Sequence, residues 1–97
     1  MLPKTYDQKK FTLPANSTTY DVATSQATLF NNIPYAHNVI LIFNKEIKVQ
    51  FNSTLMPLAI LPLSRSPFQS PSRFLEVSNI FLTESNGVDV DCEIWLW

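Results

Sequence analysis

The chain has 97 residues, enough for one domain with a real but thin core. A formal net charge of −1 removes the electrostatic basis for nucleic-acid binding, and the single cysteine excludes an internal disulfide. No run of about 18 apolar residues is present to cross a membrane as a helix.

Hydrophobic residues make up 45% and charged residues only 15%, against about 25% charged in ordinary soluble domains. So little charge implies that part of the surface faces something other than water. The opening "MLPKTYDQKK" has no apolar leader stretch, so cytoplasmic synthesis is expected.

No window shows the i, i+3, i+4, i+7 spacing of an amphipathic helix. Short β-branched and aromatic runs alternate with Asn, Ser and Pro clusters, the pattern of an all-β fold. Residues 1–9 are expected to form an N-terminal arm, and residues 10–97 a single β-sandwich domain. Up to eight strands are expected. The first is "KFTL" at 10–13, closed by Pro14 and turn residues. "TTYDV" at 18–22 and the weaker "ATLF" at 27–30 follow. "NVILIF" at 38–43 is apolar on both faces and should therefore be central. "IKVQF" at 47–51 would pair with it through Asn44, Lys45 and Glu46 as a short hairpin.

"MPLAIL" at 56–61 contains Pro57 and precedes Pro62, so it reads as an edge or irregular strand. A polar loop, "SRSPFQSPSR", separates it from "FLEVSNIFLT" at 74–83. Asn86-Gly87 then marks a tight turn into the last strand. Gly87 is the only glycine, so Asn is expected at the other positive-φ positions. Eight short strands fit a jelly roll, with an immunoglobulin-like sandwich as the alternative. Against the jelly roll, its last two strands lie in opposite sheets, whereas Asn-Gly usually joins paired neighbours.

The inventory for chemistry is poor. His37 is the only histidine, and one His with one inward-facing Cys cannot build a transition-metal site. Its plainer role is a loop residue beside Tyr35 at the entrance to a strand. No local motif surrounds any serine, and one glycine cannot make a phosphate-cradling loop. Asp89, Asp91 and Glu93 share one face of the last strand. A calcium site on them is conceivable, but an acidic row on a solvated strand face is the commoner arrangement. Arg65 and Arg73 bracket the Ser/Pro loop. Lys4, Lys9 and Lys10 make the N-terminus mildly basic opposite an acidic C-terminal strand.

That last strand, "VDVDCEIWLW", poses the sharpest question. Val88, Val90, Cys92, Ile94 and Leu96 alternate with Asp89, Asp91, Glu93, Trp95 and Trp97, the period-2 mark of a strand with one buried face. Two tryptophans thus end the polar face. The N-terminal segment could cover them with Leu2, Tyr6 and Phe11. They could lie in a subunit interface, where Trp is enriched. They could form a sugar-stacking platform. The low charge favours the interface, which makes Trp95, Trp97, Tyr6, Phe11 and Leu2 the candidate contact residues.

"IKVQFNSTLMPLAIL", then "SPF", then "FLEVSNIFLTESNGVDVDCEIWLW" resembles small virion structural proteins of tailed bacteriophages, over roughly residues 38–97. "FTLPANSTTYDV" is similar to the opening strands of such proteins. The resemblance implies a compact jelly-roll-like sandwich that assembles as a homo-oligomer, often a trimer, on a particle made in the host cytoplasm. It would decorate or join capsid or tail components through contacts with other virion proteins. It implies no catalytic residue, no cofactor and no membrane insertion. The scarcity of glycine and the prolines at 57 and 62 depart from the pattern. The runner-up function is a small carbohydrate-binding module for host-surface recognition; an enzyme is the third.

Overall fold

The computed structural model describes residues 6–70 and 76–97. Its strands are β1 (Asp7–Leu13), β2 (Tyr20–Asp21), β3 (Val39–Phe43), β4 (Ile47–Phe51), β5 (Ala59–Leu61), β6 (Phe68–Gln69), β7 (Ile80–Thr83) and β8 (Val90–Leu96). A single helical turn, α1 (Val22–Ser25), follows β2, and a 3-10 turn (Leu63–Arg65) follows β5. Asp21 caps α1 by accepting from the Thr24 N–H at 3.1 Å, and the Asn79 amide holds that carboxylate at 2.8 Å.

All pairing is antiparallel, in two sheets with strand orders β1-β8-β3-β6 and β2-β7-β4-β5. The pairs β1/β8, β2/β7, β3/β6 and β4/β5 are those that one long folded ribbon produces when it is rolled up. This is the jelly roll, two Greek keys in face-to-face sheets, and not the immunoglobulin order. β7 and β8 do lie in opposite sheets, so Asn86-Gly87 lies in a crossing between sheets. Gly87, at φ +74°, supplies the left-handed residue there.

The period-2 pattern fixes which side of each strand goes inward. Val90, Cys92, Ile94 and Leu96 of β8 are buried with Leu13, Val39, Leu41 and Phe43 of their own sheet. They face Ile47, Val49, Leu61, Ile80 and Leu82 of the other. Each aliphatic side chain buried in this way contributes about 1.5–3 kcal/mol.

Several expectations are corrected. β3 and β4 do not form a hairpin: β3 pairs with β6 and β8, and β4 with β5 and β7. Stacked sheets lie about 10 Å apart, and residues 44–46 extended can span about that distance, so the short link crosses the sandwich. Residues 27–30 are not a strand; they turn after α1, with the Leu29 N–H bonded to the Gln26 carbonyl at 2.9 Å and Phe30 at φ +61°. The eighth strand is instead β6, inside the Ser/Pro-rich stretch.

β1 begins at Asp7, so residues 7–9 belong to the sheet and not to an arm. Asn16 and Asn52 take positive φ as expected, but so do Thr19 and Phe30. Thr19 is held there by a bond from its N–H to Thr83 Oγ1 at 3.1 Å. β3 is internal to its sheet and β5 is an edge, as the sequence indicates. Of the strand expected at 74–83, residues 74 and 75 lie outside the described residues, as do Leu2, Lys4 and Arg73; β7 itself is shorter.

Candidate interaction surfaces

The carboxylates of the last strand and the cysteine are engaged in structure. His37 is exposed, and its backbone N–H donates to the Trp97 carbonyl at 2.9 Å. The three carboxylates on β8 and its approach are held separately. Asp89 accepts from the Ala15 N–H at 2.8 Å, and Asp91 accepts from Asn44 Nδ2 at 3.3 Å. Glu93 Oε2 accepts from Gln8 Nε2 at 2.9 Å and from the Trp95 indole N–H at 2.8 Å. Among the described residues no group of three or more His, Cys, Asp or Glu is placed to hold a metal ion. Cys92 is buried, and that burial pushes its thiol up to about 12, so it is a packing residue and not a nucleophile. Alkylation at neutral pH is expected only after denaturation.

Glu84 is the deepest carboxylate. Its oxygens accept from the backbone N–H groups of Asn16 at 2.9 Å, Asn86 at 2.7 Å, Gly87 at 2.9 Å and Val88 at 3.2 Å. The Asn16 N–H leads these donors in holding the Glu84 carboxyl below its ordinary range. Glu84 therefore clasps the β1–β2 loop to the β7–β8 crossing. It organises two loops; its acceptor sites are filled.

The tryptophans are placed differently from each other. Trp97 packs against the core edge, and its backbone N–H donates to the Asn38 carbonyl at 3.1 Å. Trp95 lies on the outer face of the first sheet, half-buried, with the Tyr6 ring stacked on it at 5.3 Å between centroids. Phe11 points inward and stacks on Tyr20 at 5.9 Å, between β1 and β2. So Tyr6 and Trp95 share an outer surface, whereas Phe11 and Trp97 face the core. Ile40 and Ile42 of β3, opposite Trp95 and Glu93, continue that surface. Beside it is an open hollow of about 580 Å³ with Lys10, Thr12, Ile42, Asn44, Asp91 and Glu93 in its walls.

A second surface was not singled out by the sequence. The edge strand β5 and its flanks expose Leu55, Met56, Leu58, Ile60 and Leu63; Leu55 is 94% exposed and Ile60 60%. Five large aliphatic side chains in nine residues form an apolar surface that water does not favour. The available signal was the absence of any charged residue between Lys48 and Arg65. Where β5 faces β6 across the sandwich, an apolar slot of about 200 Å³ opens, lined by Val49, Phe51, Met56, Pro57, Ala59 and Phe68 with Gln50. Gln50 Nε2 donates to the Thr54 and Met56 carbonyls, and its Oε1 has no partner among the described residues. Comparison with known proteins returned no match: not to a family model, not to a curated protein and not to a solved structure.

Proposed function

We propose that the chain is a non-enzymatic structural subunit of a homo-oligomer, a jelly roll whose exposed apolar surface is completed by neighbouring subunits. The observation that carries this reading is the uncharged β5 edge, with its five exposed aliphatic side chains. The resemblance to small virion structural proteins of tailed bacteriophages extends the reading to a trimeric component that decorates or joins capsid or tail parts. The test is native mass in solution at low micromolar concentration, by light scattering after size exclusion. A trimer or another closed oligomer is expected; a monomer overturns the reading. For the phage assignment, the chain is expected to copurify with intact particles, and its absence from them removes that assignment.

One observation favours a second reading, a small carbohydrate-binding module. An open hollow of about 760 Å³ beside Trp95 has Gln8, Lys10, Thr28 and Glu93 in its walls, with the Tyr6 ring stacked on Trp95, and polar groups beside an aromatic surface suit a sugar ring. Titration with host-surface glycans is expected to quench tryptophan fluorescence if this holds, and a flat titration removes it.

A further inference from the structure

We propose that the β5 edge of one copy, residues 55–63, seats on the outer face of the β1-β8-β3-β6 sheet of the next copy, so that identical subunits close head to tail into a ring. This rests on the homo-oligomer reading above and names the two surfaces that meet. A single chain cannot bring them together: β5 belongs to the second sheet, and the outer face in question lies on the far side of the first.

The β5 surface is built for side-chain contact and against strand addition. β5 has three residues, and Pro57 and Pro62 bracket it, so its free backbone edge offers little for an added strand to pair with. Pairing β5 with β5 of a second copy is also unfavourable. Self-pairing would bring like charges together. Lys48 lies directly across from Ile60 on the same face, and Arg65 follows Leu63, with its guanidinium 5.8 Å from the Phe68 ring centre. Two copies would set these cations against each other.

The outer face of the first sheet has the complementary character. Trp95, Tyr6, Ile40 and Ile42 give it an apolar centre. Asp91 and Glu93 stand along β8 beside that centre, with Lys10 the cation opposite Glu93 on β1. The apolar centre matches Leu58 and Ile60, and the carboxylates match Lys48 and Arg65. Charge complementarity of this kind fixes register and suppresses wrong partners. Because the two surfaces differ, the contact is heterologous, and such contacts generate rings when the rotation closes.

Mixing two variants tests this. Leu58→Glu with Ile60→Glu spoils the β5 surface, and Tyr6→Lys with Asp91→Lys spoils the sheet face. Each variant alone is expected to run as a monomer of 11.1 kDa. An equimolar mixture is expected to give a 1:1 dimer, because it retains one intact β5 surface and one intact face. If wild type is oligomeric and both variants keep its mass, the proposal is overturned while the homo-oligomer reading stands. The same holds if the variants are monomeric and their mixture stays monomeric, and equally if only the Leu58→Glu, Ile60→Glu variant loses the wild-type mass, which is the outcome for a self-paired β5 edge. A monomeric wild type overturns both. Circular dichroism and protection of Cys92 from alkylation establish folding. Should a double variant fail these, Ile60→Glu and Asp91→Lys serve singly in the same scheme, at positions that are exposed.

Discussion

The two long sides of the sandwich are finished differently. On the β1/β2 side, the stacked rings of Phe11 and Tyr20 close the gap between the sheets. The Glu84 carboxylate gathers the amides of the loops at one end of that side. On the β5/β6 side the strands shrink to three and two residues, an apolar slot of about 200 Å³ stays open, and the aliphatic side chains point outward. The same chain thus has a finished side and an unfinished one. Composition is the lever: an aromatic pair and a clasping carboxylate on the first, an uncharged aliphatic run framed by prolines on the second. The closed side is expected to carry more of the stability, and the open side is where the large aliphatic side chains are exposed.

The comparison yields graded expectations. The largest effect belongs to Phe11→Ala, which removes the closing ring and should cost about 2–3 kcal/mol in denaturant unfolding. A loss near zero would mean that the β1/β2 side is not closed by that stack. Next comes acid. The Glu84 carboxyl sits below its ordinary value of 4.5, held first by the Asn16 N–H; that of Asp21 sits below 3.8, held first by the Asn79 side chain. In the interval below each ordinary value the unfolded chain binds a proton that the folded chain does not. Both contributions are therefore complete above about pH 4.5 and drain away as pH falls through the folded values. Melting temperature followed from pH 7 to 3 should drop, and Glu84→Gln should melt lower at pH 7 with a flatter acid limb. An unchanged limb would remove Glu84 from the account.

Smaller effects are expected on the open side. Ala59→Val, filling the slot at a strand position, should raise stability by about 0.5–1 kcal/mol; destabilisation would show the slot already filled to capacity. The smallest change belongs to Ile60→Ser, at 60% exposure. It should move the stability of the isolated subunit by less than about 0.5 kcal/mol, even though it strips the centre of the β5 surface. A loss near that of Phe11→Ala would mean that the two sides carry similar stability.

Much of the fold was legible because the period-2 pattern reports faces directly. β8 alternates from Val90 to Leu96 as written, and β3, apolar on both faces, is internal to its sheet. What the pattern does not encode is the partner. The three residues between β3 and β4 suit a hairpin as well as a crossing, and the choice is made by β8, which takes the place beside β3. β6 was invisible because two residues have no period, and Ser66 and Ser70 around it serve as acceptors for the Phe43 and Val39 N–H groups. Phe30 at positive φ was hidden because nothing local favours it; its ring packs against the core. As for the surfaces, the eye goes to tryptophan, and Trp97 proved to pack against the core. The β5 run was read only as an edge, although its lack of charge was plain.

The position of β8 has a further consequence, for how the chain reaches this state. It pairs with both β1 and β3, seven residues with the first and five with the second, and of the described strands it is the last to leave the ribosome. Until it emerges, the first sheet has no middle. β1 must wait for a partner 77 to 89 positions away, from Leu13 with Val90 to Asp7 with Leu96. Contacts this distant make folding slow and leave apolar strands unsheltered meanwhile. Folding therefore waits for β8 and is completed when it arrives. A chain stopped at Gly87 should show no cooperative melt by circular dichroism, and adding residues 88–97 back in trans should restore one.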